Sequence, residues 1–153
     1  MSKRIAAAGL VLSAATLVGI ATQEGYKQEA YIPVPGDVPT VGFGSTEGVH
    51  MGDKTTPVRA LNRLLDEVDS VYAQGVRRCV TVPLYQHEFS AYVSLTYNIG
   101  VANFCNSTLV KKLNQEQYAE ACAEISKWNR AGGRVLNGLV KRREEERKVC
   151  EGI

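Results

Sequence analysis

A chain of 153 residues, 44% hydrophobic and 22% charged, has the size and composition of one compact domain and excludes a disordered or fibrous protein. Its formal net charge is only +2 and no basic stripe with interleaved aromatics is present, so no nucleic-acid partner is expected and only a mild bias towards anions remains. There is no CxxC pair, and His50 and His87 are not in ligand spacing, so no metal site and no other cofactor is expected.

The first element is apolar. Ile5–Thr22 is uncharged, Lys3 and Arg4 precede it, and the next cation is Lys27. The positive-inside rule therefore predicts a hydrophobic helix with a cytoplasmic N-terminus and the rest of the chain across the membrane. A cleaved signal peptide, a permanent anchor and a weak anchor that can leave the bilayer all fit this pattern. Six alanines, two glycines, a serine and two threonines dilute the run. Leu, Ile and Val contribute only about −0.3 to −0.6 kcal/mol each at a helix centre, so anchoring is marginal, while small residues suit close packing on protein. The run stops two residues before Glu24-Gly25, which sets a carboxylate at its mouth. All four cysteines, Cys79, Cys105, Cys122 and Cys150, lie beyond it. An even number behind an export signal predicts two disulfides, with three pairings open.

The prolines and glycines between Tyr31 and His50 exclude a long helix there, and Thr40-Val41-Gly42-Phe43-Gly44 reads as part of a small hairpin sheet. Thr56, followed by Pro57, starts a helix whose apolar face is Leu61, Leu64, Leu65, Val68, Val71 and Tyr72, running to about Arg77. Pro83 opens a largely buried helix through Phe89, Val93, Leu95, Thr96 and Ile99, ending at Gly100. Ser107 or Thr108 caps a short helix through Leu113. Asn114 caps the next, where Tyr118, Cys122, Ile125 and Trp128 share a face. Gly132-Gly133 breaks the chain before a last helix from about Leu136 to Val149. Its charged run Lys141–Lys148 is most simply a solvated face with Glu–Arg pairs. The expected architecture is α+β and mainly helical, with a small β lobe, a connecting helix and a larger helical lobe, preceded by the hydrophobic helix.

Glu24, Asp37 and Thr40 fall in one Gly/Pro-rich region beside that small sheet. Two carboxylates facing one cleft are what glycosidic hydrolysis needs, one to protonate the leaving oxygen and one, ionised, to activate water. A hydroxyl such as Thr40 can hold that water. By spacing alone such a pair is more often one surface and one turn carboxylate.

Several stretches, in order, carry a family resemblance: Glu24-Gly25, Ala30-Tyr31 and Thr40-Val41-Gly42-Phe43-Gly44; then Pro83 to Phe89 with Tyr97-Asn98-Ile99-Gly100; then Phe104-Cys105-Asn106-Ser107-Thr108-Leu109; then Trp128-Asn129 with Gly138 to Arg143. Together they resemble the phage lysozymes of glycoside hydrolase family 24. With the weakly hydrophobic N-terminus, the pattern is most similar to the signal-arrest-release endolysins of phages of Gram-negative hosts. The resemblance covers nearly all of residues 23–150. It implies a two-lobed lysozyme-like fold for residues 23–153 and a signal-anchor helix in residues 1–22.

The resemblance implies a Glu, Asp and Thr catalytic set. Glu24 and Thr40 map directly. Where the family places its aspartate this chain has Pro33, so Asp37, the only aspartate in the loop, takes that role, with Glu29 as the alternative carboxylate. By the same resemblance Tyr97, Asn98 and Ser107 line the saccharide cleft, though each also has an ordinary structural role open to it. The implied activity is an inverting endo-muramidase acting on peptidoglycan. The chain would be held in the host inner membrane through residues 5–22 and then work in the periplasm as a monomer. The alternatives are a lytic transglycosylase on the same bond and a non-catalytic wall-binding module.

Overall fold

The computed structural model describes residues 3–153; residues 1 and 2 of the expected leader lie outside the described residues. The apolar N-terminal run is not one helix. Ile5 pairs with Leu84 through both backbone bonds, at 2.9 and 2.8 Å. A single 3-10 turn, Ala7–Gly9, follows, and the chain is then extended to Ser13. Helix α1 covers only Ala14–Glu24. Ser13 starts it by accepting from the Thr16 amide at 3.1 Å, which satisfies a donor that the first turn leaves orphaned. The expected helix over residues 5–22 is thus broken at Ser13.

The break is possible because the body supplies partners for non-helical backbone. Arg77 donates to the Leu10 carbonyl at 3.0 Å and Gln86 to the Val11 carbonyl at 2.8 Å. Hydrocarbon offers no such donors. No described helix is long and apolar enough to cross a membrane. Ala7, Leu10, Leu17, Ile20 and Ala21 are instead buried in the main core. The Ser13→Ala variant should lose about 1 kcal/mol of stability through the missing cap, read as a melting temperature lowered by a few degrees.

After α1 the chain forms the small lobe. Strand β1 (Lys27–Tyr31) runs antiparallel to β2 (Thr40–Gly42), with Lys27 opposite Gly42 and Tyr31 opposite Thr40. Ala30, Val41 and Val49 form its own small core. Helix α2 (Pro57–Glu67) begins on the Thr56 cap and continues through a π-helical stretch, Val68–Ala73, into α3 (Gln74–Cys79). This is the expected connecting helix, carried slightly past Arg77.

The large lobe is helical. Helix α4 (Gln86–Ile99) starts three residues later than Pro83 because Leu84 is taken by Ile5 and Tyr85 becomes the cap, with Glu88 closing the capping box. Phe89, Tyr92, Val93, Leu95 and Thr96 bury it deeply. Short helices α5 (Val101–Cys105), α6 (Thr108–Leu113) and α7 (Tyr118–Glu124) wrap it. Asn114 does not cap α7: its side chain bridges the Thr81 amide and the Cys79 carbonyl. Gly132-Gly133 does more than break the chain. Both residues have positive φ, at 56° and 76°, and they turn a tight hairpin between β3 (Arg130–Ala131) and β4 (Arg134–Val135). Helix α8 (Asn137–Glu151) closes the fold against α4. Two disulfides form, Cys79–Cys105 from the end of α3 to α5, and Cys122–Cys150 from α7 to α8. Each closes a loop of fewer than 30 residues, worth about 3 kcal/mol on the chain-entropy account.

Candidate active site

Glu24 is the last residue of α1. Gly25 caps the helix at φ 71°, a conformation that favours glycine, and turns the chain into β1. Three elements meet at the Glu24 carboxylate. From α8, the Arg142 guanidinium lies 3.2 Å from Oε1. From the turn after β2, Gly44 at φ 91° presents its backbone, and a Cβ there would stand 3.4 Å from Glu24 Oε2 and 3.5 Å from the Tyr97 hydroxyl. From α4, Tyr97 donates to the Phe43 carbonyl at 3.3 Å and so ties that turn to the helical lobe. Glu24 keeps about a quarter of its side chain exposed, so the carboxylate is held but reachable.

Arg142 is itself held. Its Nε lies 3.3 Å from Glu146, which also accepts from Ser94 at 2.8 Å and pairs with Arg143 at 2.7 Å. Arg143 in turn donates to Asn98 Oδ1 at 2.8 Å and to the Trp128 carbonyl at 3.3 Å. Arg142, Arg143 and Glu146 are all buried. Burial pulls the Arg143 guanidinium below its usual range, against the opposing attraction of Glu146. The run Lys141–Lys148 is therefore not simply a solvated face, and Arg142 is the site residue that sequence reasoning missed. Its signal was there, in the stretch Gly138 to Arg143 that carried part of the resemblance. Burial, with the negative charges of Glu24 and Glu67 nearby, keeps the Tyr97 phenol well above its usual range, so it stays a neutral donor.

Asp37 lies on the exposed loop between the paired ends of β1 and β2. Its Oδ1 accepts from the Val38 amide at 2.8 Å, and its own amide donates to the Val34 carbonyl at 2.9 Å, a tight turn. Thr40 opens β2, buried, with its hydroxyl donating to the Val38 carbonyl at 3.2 Å. Glu29, the alternative carboxylate, is engaged: Lys54 sits 2.7 Å away and holds its carboxyl below the usual range, chiefly through that hydrogen bond. Tyr97 and Asn98 both reach the network around Glu24. The Ser107 hydroxyl is committed to the start of α6, accepting from Val110 at 3.2 Å and donating to Phe104 at 2.6 Å.

The Gly44 contact can be tested. Gly44→Ala forces a side chain onto a positive-φ residue beside Glu24 and should cost about 1 kcal/mol in strain. A melting temperature lowered by a few degrees is the expected reading.

Residues 21–146 match the family described as Phage lysozyme. The chain is 35% identical over 154 residues to the SAR-endolysin of Pseudomonas phage phiKMV, covering 98% of this chain and 92% of that one. Against the structure of the endolysin from Escherichia coli O157:H7 phage FAHEc1 the TM-score is 0.81 at 34% identity, covering 93% and 94% of the two chains. In fold alone, the active form of P1 phage endolysin is nearer (TM-score 0.79, 21% identity, 99% and 97% covered) than its secreted inactive form (0.52, 18%, 93% and 96%). The chain spans about half the length of the endolysins of Bacillus phages B103 and PZA, at 36% and 35% identity over 82% of its own length. The chain belongs to the phage lysozyme family.

Proposed function

We propose that this chain is an endo-acting muramidase that hydrolyses the β-1,4 bond between N-acetylmuramic acid and N-acetylglucosamine in peptidoglycan. The observation that carries this reading is the Glu24 carboxylate, reachable from solvent yet fixed by Arg142 on one oxygen and crowded by the Gly44 turn on the other. A fixed acid at a cleft is what protonation of a glycosidic oxygen requires. Asp37 is the base. Its Oδ1 is occupied by Val38, which leaves Oδ2 to take a proton from water. Thr40, whose hydroxyl donates to the Val38 carbonyl, keeps lone pairs to orient that water. Tyr97 and Asn98 line the sugar cleft. Ser107 shapes it from its capping position. In an inverting enzyme the two carboxyl groups close to roughly 6.5–9.5 Å around the water. Product analysis tests the chemistry. Free reducing ends with inverted anomer are expected; anhydro ends would replace hydrolysis by transglycosylation. Full activity in Asp37→Asn would remove Asp37 from its role.

Residues 1–22 act as a signal anchor that leaves the inner membrane, and residues 23–153 form the muramidase, a monomer in the periplasm. Two features support this. The segment's hydrophobicity is marginal for anchoring. Its docked form also depends on backbone partners, Leu84, Arg77 and Gln86, that exist only outside lipid. While the segment spans the bilayer, Glu24 is two residues from Thr22 and kept at the surface, away from Arg142 and Gly44. Replacing Gly9 and Gly19 with leucine separates the two states. A Cβ at Gly19 would meet nothing within 4 Å, and one at Gly9 would meet only the flexible end of Ile5, at 3.7 Å, and both positions are exposed, so neither side chain starts from a clash in the docked form. Each leucine adds about −0.3 to −0.6 kcal/mol of insertion energy. Lysis should be delayed while the purified protein retains wall hydrolysis. Unchanged lysis timing would contradict release from the membrane.

A further inference from the structure

Arg4 occupies a slot that nothing in the catalytic reading uses. Its guanidinium lies over two rings, 4.3 Å from the Tyr85 centroid and 3.6 Å from that of Tyr118. It also forks onto Glu88: Nη2 donates to Oε1 at 2.8 Å, and Nε donates to Oε2 at 3.1 Å. Glu88 is almost wholly buried, at 3% exposure. Its Oε2 also accepts from the Tyr85 amide at 2.8 Å, closing the capping box of α4. Its Oε1 has no hydrogen-bond donor other than Arg4 among the described residues. The walls of the slot are fixed independently of Arg4. Tyr118 is tied by its hydroxyl to the Pro83 carbonyl at 3.0 Å, and Tyr85 stacks on His87 with ring centroids 5.3 Å apart.

We infer that the slot formed by Tyr85, Glu88 and Tyr118 is a receptor site for the guanidinium of Arg4, and that filling it latches the N-terminal segment onto the body. The chemistry is specific. A buried carboxylate without a cation keeps most of its desolvation penalty, whereas a bidentate guanidinium between aromatic faces offsets it. Lysine fits less well, because it has neither the fork nor the flat face. The next residue, Ile5, makes the Leu84 bridge, so the latch and the first backbone contact of the segment act together. The segment then leads through the core positions Leu10, Leu17 and Ile20 to Glu24. Arg4 is thus the far end of the element that installs the acid. Docking brings Glu88 the one cation it pairs with among the described residues, which favours the docked state.

This inference goes beyond the muramidase reading and stands on the docked geometry alone. Its test is a thermodynamic cycle on the purified full chain, read by melting temperature and by hydrogen exchange of residues 5–24. Arg4→Met should lower the melting temperature by roughly 10 °C and speed exchange in residues 5–24 by about tenfold or more. In a Glu88→Gln background, where the slot holds no carboxylate, the same substitution should cost less than half as much. Arg4→Lys should fall between wild type and Arg4→Met, and it carries the cycle if Arg4→Met does not fold. Equal losses in both backgrounds, or unchanged exchange over residues 5–24, would overturn the latch. The two readings fail separately, because absence of wall hydrolysis by the wild-type protein contradicts the enzyme and leaves this cycle unaffected.

Discussion

Glu24→Gln is expected to fold as wild type and to lose wall hydrolysis almost completely, by about 10³-fold or more. The amide keeps the shape of the side chain and can still accept from Arg142 at the Oε1 position. It has no proton to give to a leaving oxygen. The structural cost should be small, because the side chain is only partly buried, Arg142 keeps an acceptor, and the amide nitrogen at the Gly44 turn is no larger than the oxygen it replaces. A zymogram on purified wall, with circular dichroism to confirm folding, is the measurement. Retention of more than a few per cent of activity would mean that another group supplies the proton.

Arg142→Ala is expected to act on stability and on rate together. Arg142 bridges Glu24 and Glu146, and its own side chain is about nine-tenths buried. Removing one partner of a buried pair costs about 3–5 kcal/mol. The lower end applies here, because Arg143 still pairs with Glu146. On rate, the loss frees Glu24 Oε1. Misplacing a catalytic group by about 1 Å costs on the order of 10²-fold, so a fall of that size is expected in the folded fraction. Arg142→Lys keeps the charge but cannot reach Glu24 and Glu146 at once, so it should recover more stability than activity. Denaturant unfolding and wall hydrolysis on the same samples separate the two effects. A variant with normal rate would leave Arg142 as a structural residue only.

The parts of the fold legible in the sequence were those set by local rules. Thr56-Pro57 gave the start of the connecting helix, Ser107 the start of α6, and the even number of cysteines the two disulfides; of the expected apolar face of the connecting helix only Leu64 and Val68 are buried, while Leu61, Leu65 and Val71 are exposed. What could not be read depended on distant partners. The apolar run from Ile5 looks the same whether lipid or protein covers it. Its break at Ser13 is decided by Leu84, Arg77 and Gln86, more than 60 positions away. The charged run on α8 failed similarly. Glu–Arg spacing suits a solvated helix, yet here the charges neutralise one another beneath Glu24, so Arg142, Arg143 and Glu146 can be buried. Glu24 stood out because the end of the apolar run and a Glu-Gly pair coincide, and it lies beside Arg142 and the Gly44 turn. The position of Asp37 depends on the shape of its loop, which its sequence does not dictate.

A cleavable leader would be dispensable to the enzyme, but here Ala7, Leu10, Leu17, Ile20 and Ala21 are core residues. The most direct test of that difference is the intact mass of the wall-hydrolysing protein recovered from the periplasm. A mass that retains residues 5–22 is the expected result. An active species that has lost those residues would contradict it.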